Sequence, residues 1–244
     1  MRENDGLIRG SLERLTEDAL PEEEAKVSVS DEEEQRVERP LNLNEQRMGA
    51  VLSALRGVDA KRVLDLGCGE GKLLRSLLSD HQFEQILGMD VSWRSIEIAS
   101  ERLKLGQIGE KQRARIELIQ GSLMYRDKRL EGFDAAAVVE VIEHLDAARL
   151  AAFERVLFEY AKPTNIVLTT PNAEYNCLFP TLPAGQLRHR DHRFEWTRAE
   201  FTKWAEGIAK RFGYAVRFQP VGTEDATRGA PTQMGIFTRT AVGE

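Results

Sequence analysis

The fold of this chain is decided by the stretch Val63-Leu64-Asp65-Leu66-Gly67-Cys68-Gly69-Glu70-Gly71. An apolar run ends there in three glycines spaced G-x-G-x-G, and a helical pattern follows from Lys72. Glycine lets the backbone turn sharply and approach a ligand closely at the carboxyl edge of a sheet. The stretch therefore predicts a strand, a ligand-binding turn and a helix in direct succession.

The spacing of the glycines separates two cofactor classes. A nicotinamide dinucleotide fingerprint would read G-x-G-x-x-G and present amides to a pyrophosphate, whereas here the third glycine comes one position early. Asp65 is poorly suited to a diphosphate and better suited to the ammonium of an amino acid. The block resembles the first motif of S-adenosylmethionine-dependent methyltransferases, which implies that this cofactor binds at Asp65, Gly67, Gly69 and Gly71.

A second acid follows at the distance that this interpretation requires. Asp90 ends the next strand, 23 positions after Gly67, about where a carboxylate would hold both ribose hydroxyls. The alternative is that Asp90 only caps the following helix, but the order and spacing of the elements favour the cofactor. Ser122 lies after the third strand, where this fold recognises adenine. Val91 and Leu123 complete the predicted cofactor site.

Strand and helix patterns alternate along the chain. The strand-like runs are Arg62–Leu66, Glu84–Asp90, Ile116–Gln120, Asp134–Val141 and Asn165–Thr170. The helical runs are Asn44–Leu55, Lys72–Ser79, Trp93–Lys104 and Ala147–Tyr160. A capping box formed by Thr197 and Glu200 opens a further helix, Arg198–Phe212, before two final strands, Ala215–Val221 and Gln233–Thr240. We predict an α/β Rossmann-like class I methyltransferase fold, with a mostly parallel sheet and a C-terminal antiparallel hairpin.

The charged residues are distributed unevenly along the chain. Residues 1–39 hold 13 acidic and 6 basic residues, a balance of −7, and the other 205 residues hold 27 and 28, a balance of +1. We predict an acidic leader or linker at 1–39, with a short helix through Leu7 to Leu20, and a catalytic domain at 40–244. A domain with this near-neutral charge is compatible with nucleic acid.

Composition indicates the cellular setting. The sequence has no run of about 18 apolar residues, so we expect no membrane span. Two cysteines, Cys68 and Cys177, give no disulfide framework. We therefore expect a cytoplasmic protein. A monomeric domain is the default expectation.

The end of the fourth predicted strand carries an unusual set of polar residues, Glu140-Val141-Ile142-Glu143-His144. The two glutamates and the histidine share one face if the strand turns directly into a helix. Two carboxylates and an imidazole suit a divalent cation such as Mg²⁺, Mn²⁺ or Co²⁺. The alternative is a solvated first helical turn, where acids favour the helix dipole.

A second cluster lies at Leu187-Arg188-His189-Arg190-Asp191-His192-Arg193-Phe194-Glu195-Trp196-Thr197-Arg198. Basic and aromatic groups together can neutralise phosphate and stack on an unpaired base, so its four arginines are candidates for phosphate contact. The alternative is a positively charged loop whose Phe194 and Trp196 pack under the following helix. One of its histidines could complete the metal site.

Together these motifs resemble the small-RNA 3′-terminal ribose 2′-O-methyltransferases, plant and animal enzymes that protect small RNAs and bacterial enzymes of RNA repair. The resemblance covers roughly residues 40–240, including Leu43-Asn44-Glu45-Gln46-Arg47, Tyr125-Arg126-Asp127 and Thr170-Pro171-Asn172. It implies that one divalent ion, Mg²⁺ or Mn²⁺, binds Glu140, Glu143, His144 and His192. His189 competes with His192 for the last position.

The resemblance also implies a substrate, an RNA 3′ end with free 2′- and 3′-hydroxyls. We expect a bacterial-type member, with an RNA-repair kinase or ligase as partner. Bacterial relatives often carry a large N-terminal half before this domain, whereas this sequence shows only the acidic stretch 1–39 there. We expect either an excised catalytic portion or a naturally short member. His144 and His189 are both candidates to accept the hydroxyl proton.

Two other functions compete with this one. A small-molecule O-methyltransferase acting on a catechol-like diol would share the metal chemistry but has no need of the arginine-rich loop. A non-catalytic RNA-binding module that keeps the cofactor as a structural ligand would be favoured by degraded metal residues, and all of them are present.

Overall fold

The computed structural model describes residues 42–240 of the 244-residue chain. The predicted leader at 1–39, its short helix and the predicted domain start at Pro40 lie outside the described residues. No helix within the described range is both long and apolar enough to cross a membrane.

One sheet of seven strands organises the domain, in the order β3-β2-β1-β4-β5-β7-β6. Strands β1 to β5 run parallel, and β7 lies antiparallel between β5 and β6. The strands are β1 Arg62–Leu66, β2 Gln85–Asp90, β3 Ile116–Gln120, β4 Ala135–Val139, β5 Asn165–Pro171, β6 Tyr214–Val221 and β7 Thr232–Arg239. The predicted mostly parallel sheet with its C-terminal antiparallel pair is confirmed.

Helices cover both faces of the sheet. The α-helices among the described residues are α1 Leu43–Gly57, α2 Lys72–Ser79, α3 Trp93–Arg102, α4 Glu110–Arg113, α5 Ala147–Glu154 and α6 Arg198–Phe212. Successive side chains of a strand point to opposite faces, so Val63 packs with α1 and α2 whereas Leu64 packs with α5 and α6. Two apolar cores result, and the polar groups of the strand ends collect at the carboxyl edge between them.

The predicted helix Ala147–Tyr160 changes its type halfway. It starts as α5, where the Asp146 side chain accepts a hydrogen bond from the backbone N–H of Arg149 (2.9 Å). It then continues as a π-helix, Arg155–Ala161, until Lys162 adopts a left-handed conformation. The wider turn buries Phe158, whose ring packs edge-on against Phe237 at 5.1 Å between centroids.

Gly88 lies where β2 is tightly packed against the side chains of Leu74 and Leu118. A Cβ there would lie 2.6 Å from Leu74 Cδ1 and 2.9 Å from Leu118 Cδ2. Because overpacking a core costs about 1–3 kcal/mol, we expect Gly88→Ala to lower the free energy of unfolding by that amount in urea titrations.

The matched control is Gly49→Ala in α1. Gly49 is exposed, and a Cβ there meets no atom within 4 Å. Its replacement should leave stability unchanged or raise it by up to about 1 kcal/mol, since alanine favours helix. A Gly88→Ala protein with the wild-type urea midpoint would contradict this packing.

Candidate active site

The glycine-rich turn lies where the sequence predicts it, between β1 and α2. Gly67, Gly69 and Gly71 all have positive φ, at 77°, 50° and 78°. A Cβ on Gly67 would lie 2.6 Å from Cγ2 of Val141, the residue after Glu140. Glycine is therefore required at this position, and the turn packs directly against the segment that follows β4.

Asp90 joins this turn to the loop after β2. Its carboxylate accepts hydrogen bonds from the backbone N–H groups of Gly69 (2.8 Å) and Ser92 (2.9 Å). The N-cap of α3 is Ser92, whose hydroxyl accepts from the N–H of Ser95. Asp90 is therefore not the N-cap of α3, which removes the capping alternative.

Asp65 is buried at the end of β1, with 2% of its surface exposed. Its Oδ2 atom has no hydrogen-bond partner among the described residues. Burial, and after it the charge of Asp90, raises the pKa of Asp65 to about 7. A ligand ammonium placed beside this carboxyl would favour its ionised form, which is the role predicted for it.

The part of the site predicted to bind adenine lies just after β2 and β3. Val91 is 66% exposed and Leu123 is buried. The Gln120 side chain donates to the carbonyl of Val91 (3.0 Å) and so ties the two strand ends together. The Ser122 hydroxyl accepts from the N–H of Met124 (3.2 Å). The exposed apolar surface of Val91 is available to cover a flat ligand.

The chain leaves β4 by a different path from the one predicted. The predicted strand continues to Val141, but β4 ends at Val139 because Glu140 adopts a left-handed conformation, with φ 53°. A short 3₁₀ turn, Ile142–His144, follows, and α5 starts only after Asp146. The expectation that a direct strand-to-helix transition aligns the three side chains is therefore wrong.

The two glutamates of this segment have different surroundings. Glu140 forms an ion pair with Arg47 of α1 at 3.1 Å, and both side chains are largely buried. Glu143 is fully buried, and its carboxylate accepts from the Thr170 hydroxyl (3.1 Å). Arg47 belongs to the motif Leu43-Asn44-Glu45-Gln46-Arg47, but no role was predicted for it. No local sequence pattern shows that its guanidinium pairs with Glu140.

Three histidines converge at this edge. The side chains of His144, His189 and His192 offer nitrogens within 4.8 Å of one another. Burial, and then the nearby His192 and His189, lower the pKa of His144 to about 3, so its imidazole is neutral and keeps a lone pair. The loop that carries the other two is held at the 3₁₀ turn, because the Arg193 N–H donates to the Glu143 carbonyl (2.7 Å).

The hydrogen bonds of the two loop histidines differ. Nδ1 of His192 lies 2.7 Å from a Glu195 oxygen, and its buried Nε2 has no hydrogen-bond partner in the described part of the chain. Nδ1 of His189 instead accepts from the N–H of Asp191 (3.0 Å). Burial raises the pKa of Glu195, but hydrogen bonds from His192 and Asn176 and the charge of Arg188 lower it more, so the net shift is downward.

Among the described residues, the group of side chains that could hold a divalent cation consists of His144, His189 and His192, and the predicted ligands Glu140 and Glu143 are not part of it. Imidazole nitrogens suit transition ions such as Zn²⁺ and Fe²⁺, whereas carboxylates suit Mg²⁺ and Mn²⁺. The buried Nε2 of His192 is the atom for which such a ligand is most needed, since a buried polar atom without a partner is costly.

The predicted phosphate contact of Arg188 is wrong. Its guanidinium is buried and donates to the carbonyls of Asn172 (2.8 Å) and Pro231 (2.6 Å), and it lies 4.8 Å from the ring centre of Phe179. Arg188 therefore holds the loop to the body of the domain. Arg198 is half exposed but pairs with Glu174 at 2.7 Å.

The aromatic residues of the loop also pack inward. Phe194 and Trp196 stack at 4.4 Å between ring centres, and Trp196 lies 5.2 Å from Trp204 of α6. Both contact the larger apolar core. The alternative in which these rings pack under the following helix therefore describes them better than a base-stacking role.

Comparison with known proteins agrees with this geometry. The family described as "Methyltransferase domain" matches residues 35–216. The mouse protein named small RNA 2′-O-methyltransferase is 40% identical over 219 residues, which cover 86% of this chain and 54% of that protein. The chain thus spans about half the length of this curated relative.

Solved structures extend the comparison. The methyltransferase domain of bacterial CtHen1 is 55% identical, with a TM-score of 0.75, over 80% of this chain and 99% of that one. A chain from the structure titled Pnkp1/Rnl/Hen1 RNA repair complex is 20% identical, with a TM-score of 0.58, over 81% of this chain and 41% of that one. The second likeness is one of fold.

Asp65 makes stability depend on pH. Its folded pKa is raised to about 7 from 3.8, so the stability that this carboxyl contributes to the ligand-free protein is fully present below its unfolded pKa and is lost as pH rises through 7. Between about pH 5 and about pH 8 we expect the wild type to lose about 2 kcal/mol more unfolding free energy than Asp65→Asn.

Urea titrations without cofactor at both pH values measure this difference. Glu97→Gln, a change of the same kind on the exposed side of α3, is the control and should keep the wild-type pH dependence. Parallel pH profiles for Asp65→Asn and the wild type would show that Asp65 does not carry the effect.

Proposed function

This chain belongs to the methyltransferase-domain family, among the small RNA 2′-O-methyltransferases of the bacterial Hen1 type, and we propose that it methylates the 2′-hydroxyl of the 3′-terminal ribose of RNA. In this reaction the methyl group leaves the sulfonium of S-adenosylmethionine as its carbon–sulfur bond breaks. A carbon–oxygen bond forms at the 2′-oxygen, and the hydroxyl proton is released. RNA end protection or repair is the process that it would serve.

One observation carries the proposal, the contact between the two turns. Gly67 of the cofactor turn packs against Val141, within the segment from Glu140 to His144. The cofactor side of the site and the cluster of acids and histidines are therefore neighbours at the carboxyl edge of the sheet. This arrangement supports methyl transfer to an oxygen held by the cluster.

The cluster would hold one Mg²⁺ or Mn²⁺ ion through Glu140, Glu143, His144 and His192. A divalent cation bound there would lower the pKa of a ribose hydroxyl and hold both terminal hydroxyls. The guanidinium of Arg47 offsets the negative charge of Glu140 through their ion pair. Asp65 would bind the amino acid portion of the cofactor and Asp90 its ribose.

The hydrogen bonds favour His192 over His189 as the fourth ligand. A carboxylate only accepts hydrogen bonds, so Glu195 places the proton of a neutral His192 on Nδ1 and leaves Nε2 with its lone pair. Because Nδ1 of His189 accepts from Asp191, a neutral His189 carries its proton on Nε2. That proton makes His189 a hydrogen-bond donor rather than a ligand.

Neither candidate for the general base is well suited to that role. The pKa of His144, near 3, makes its imidazole a weak base, and the lone pair of a neutral His189, at Nδ1, already accepts the backbone N–H of Asp191. Release of the hydroxyl proton to solvent is the simpler route. The task of these residues is to position the oxygen for in-line attack.

Several wider aspects of the function also remain proposals. Arg190 and Arg193 are exposed arginines of the loop and would contact RNA phosphates. A kinase or ligase of RNA repair is proposed as partner on the family resemblance. The cytoplasmic location and the monomeric state are predictions from composition. The small-molecule alternative loses support, because the mouse relative described above is named for its action on small RNA.

Methyl transfer to short RNAs tests the function. Labelled S-adenosylmethionine, with and without Mn²⁺, is supplied with RNAs ending in a 2′,3′-diol, a 3′-phosphate or a 2′-deoxyribose. We expect metal-dependent labelling of the diol end alone, because the other ends lack one of the two hydroxyls that the cluster would hold. His192→Ala should abolish labelling while cofactor binding persists.

Labelling of the 3′-phosphate RNA at the rate of the diol RNA would overturn this account of end selection. Labelling of a catechol but of no RNA would favour the small-molecule alternative.

The salt dependence of RNA binding tests the arginines. Each phosphate contact with a single strand adds about 0.7 to the slope of log affinity against log salt. We expect Arg193→Ala to reduce the slope by about that much, as measured by fluorescence anisotropy with a labelled RNA. Arg217→Ala, the same change on the exposed side of β6, is the control and should keep the wild-type slope. Identical slopes for both variants would remove Arg193 from the RNA interface.

A further inference from the structure

Glu195 lies at the centre of a buried hydrogen-bond network that ends at the metal-type cluster. One carboxylate oxygen accepts the backbone N–H of Arg188 (2.7 Å) and lies 2.7 Å from Nδ1 of His192. The other accepts from the side-chain amide of Asn176. The side chains of Glu195 and His192 have no exposed surface.

We propose that Glu195 is a positioning residue, which holds the imidazole of His192 in the Nδ1–H form with its Nε2 lone pair directed at the other histidines. This inference rests on the proposed function, because the free lone pair on Nε2 of His192 would serve to bind the metal ion. Its physical basis is independent: the carboxylate can only accept, so the shared proton belongs to Nδ1. A carboxylate behind a ligating histidine fixes the ring and raises its basicity.

The position of Glu195 is itself fixed from the core of the domain. The guanidinium of Arg188 donates to the carbonyls of Asn172 and Pro231 and, through Nε, to Oδ1 of Asn176 (2.8 Å). The Asn176 amide is thereby oriented with its NH₂ group toward Glu195. A chain of contacts thus runs from the residues after β5 and before β7 to the imidazole of His192.

An isosteric change isolates the role of the carboxylate. In Glu195→Gln one oxygen becomes an NH₂ group that must face either the NH₂ of Asn176 or the donors of Arg188 and His192. Asn176 cannot turn to relieve the clash, since its Oδ1 is held by Arg188. Two donors then face each other wherever the new amide points, so His192 loses its fixed acceptor in part of the molecules.

Adding Asn176→Asp to Glu195→Gln restores the number of hydrogen bonds. An aspartate at 176 accepts from both Arg188 and the new amide, and the glutamine oxygen then faces His192 again. Glu154→Gln is the matched control. Glu154 is also buried and accepts from Trp204 (2.8 Å) and Arg211 (2.9 Å), which have no part in the histidine cluster.

Histidine tautomers in the full chain give the first readout, without metal. The sequence has four histidines, so long-range ¹H–¹⁵N correlation spectra are simple, and His192→Asn assigns the His192 signals. We expect the Nδ1–H form in the wild type, in Glu154→Gln and in the double variant. Glu195→Gln should show a mixture with the Nε2–H form.

Manganese affinity, followed by the EPR signal of free Mn²⁺, gives the second readout. We expect Glu195→Gln to bind Mn²⁺ about 10- to 100-fold more weakly, the usual effect of losing such a partner. The double variant should recover most of this loss, and Glu154→Gln should match the wild type. A pure Nδ1–H signal in Glu195→Gln would overturn the proposal, and so would unchanged Mn²⁺ affinity.

The two readouts separate this inference from the proposed function. A wild type that binds no Mn²⁺ would remove the metal from the proposed function, and the tautomer spectra would still decide whether Glu195 positions His192. If Glu195→Gln does not fold, the double variant carries the test: a pure Nδ1–H signal for His192 there, as in Glu154→Gln, would support positioning by the acceptor at 195. A mixed His192 tautomer in the double variant, beside a pure one in Glu154→Gln, would overturn the proposal.

Discussion

The free energy of burying carboxylate charge governs how the carboxyl edge of this sheet is built. An ionised carboxyl loses its hydration in the interior, and it needs a cation or several donors in exchange. The carboxylates at this edge are stabilised in different ways. Glu140 faces the guanidinium of Arg47, and Glu195 collects donors that include His192. Asp65 has one oxygen without a hydrogen-bond partner among residues 42–240, and its burial raises its pKa. The cation predicted to meet this carboxyl is the ammonium of the cofactor.

Most of the fold follows from local signals in the sequence. The bounds of β1, β3, α2 and α6 are those predicted, because strand alternation, helical periodicity and a capping box are read within a few residues. Other features escaped prediction, among them the short helix α4. The change to a π-helix at Arg155 and the left-handed backbone of Glu140 have no local sequence signature. A non-glycine residue with positive φ is held there by its surroundings, which the sequence alone does not display.

The residues of the candidate site are a prediction from the sequence, and their arrangement required the structure. The sequence brought Glu140, His144 and His192 together by motif, and the structure places the histidines within reach of one another. The predicted phosphate contact of Arg188 was wrong, because the charge pattern of a sequence does not show which cationic side chains are buried. The acceptors of that guanidinium include the carbonyl of Pro231, 43 positions further along the chain. Contacts over such distances depend on the completed sheet.

The packing of Gly67 on Val141 has a thermodynamic consequence. The methyl donor and the cation would bind on two sides of one contact that leaves no free space, so a shift of either turn is transmitted to the other. Coupling of this kind is reciprocal: by whatever factor the donor changes the affinity for the cation, the cation changes the affinity for the donor. The two ligands would then behave as a cooperative pair, and the order in which they arrive would not alter the stability of the complex that they form.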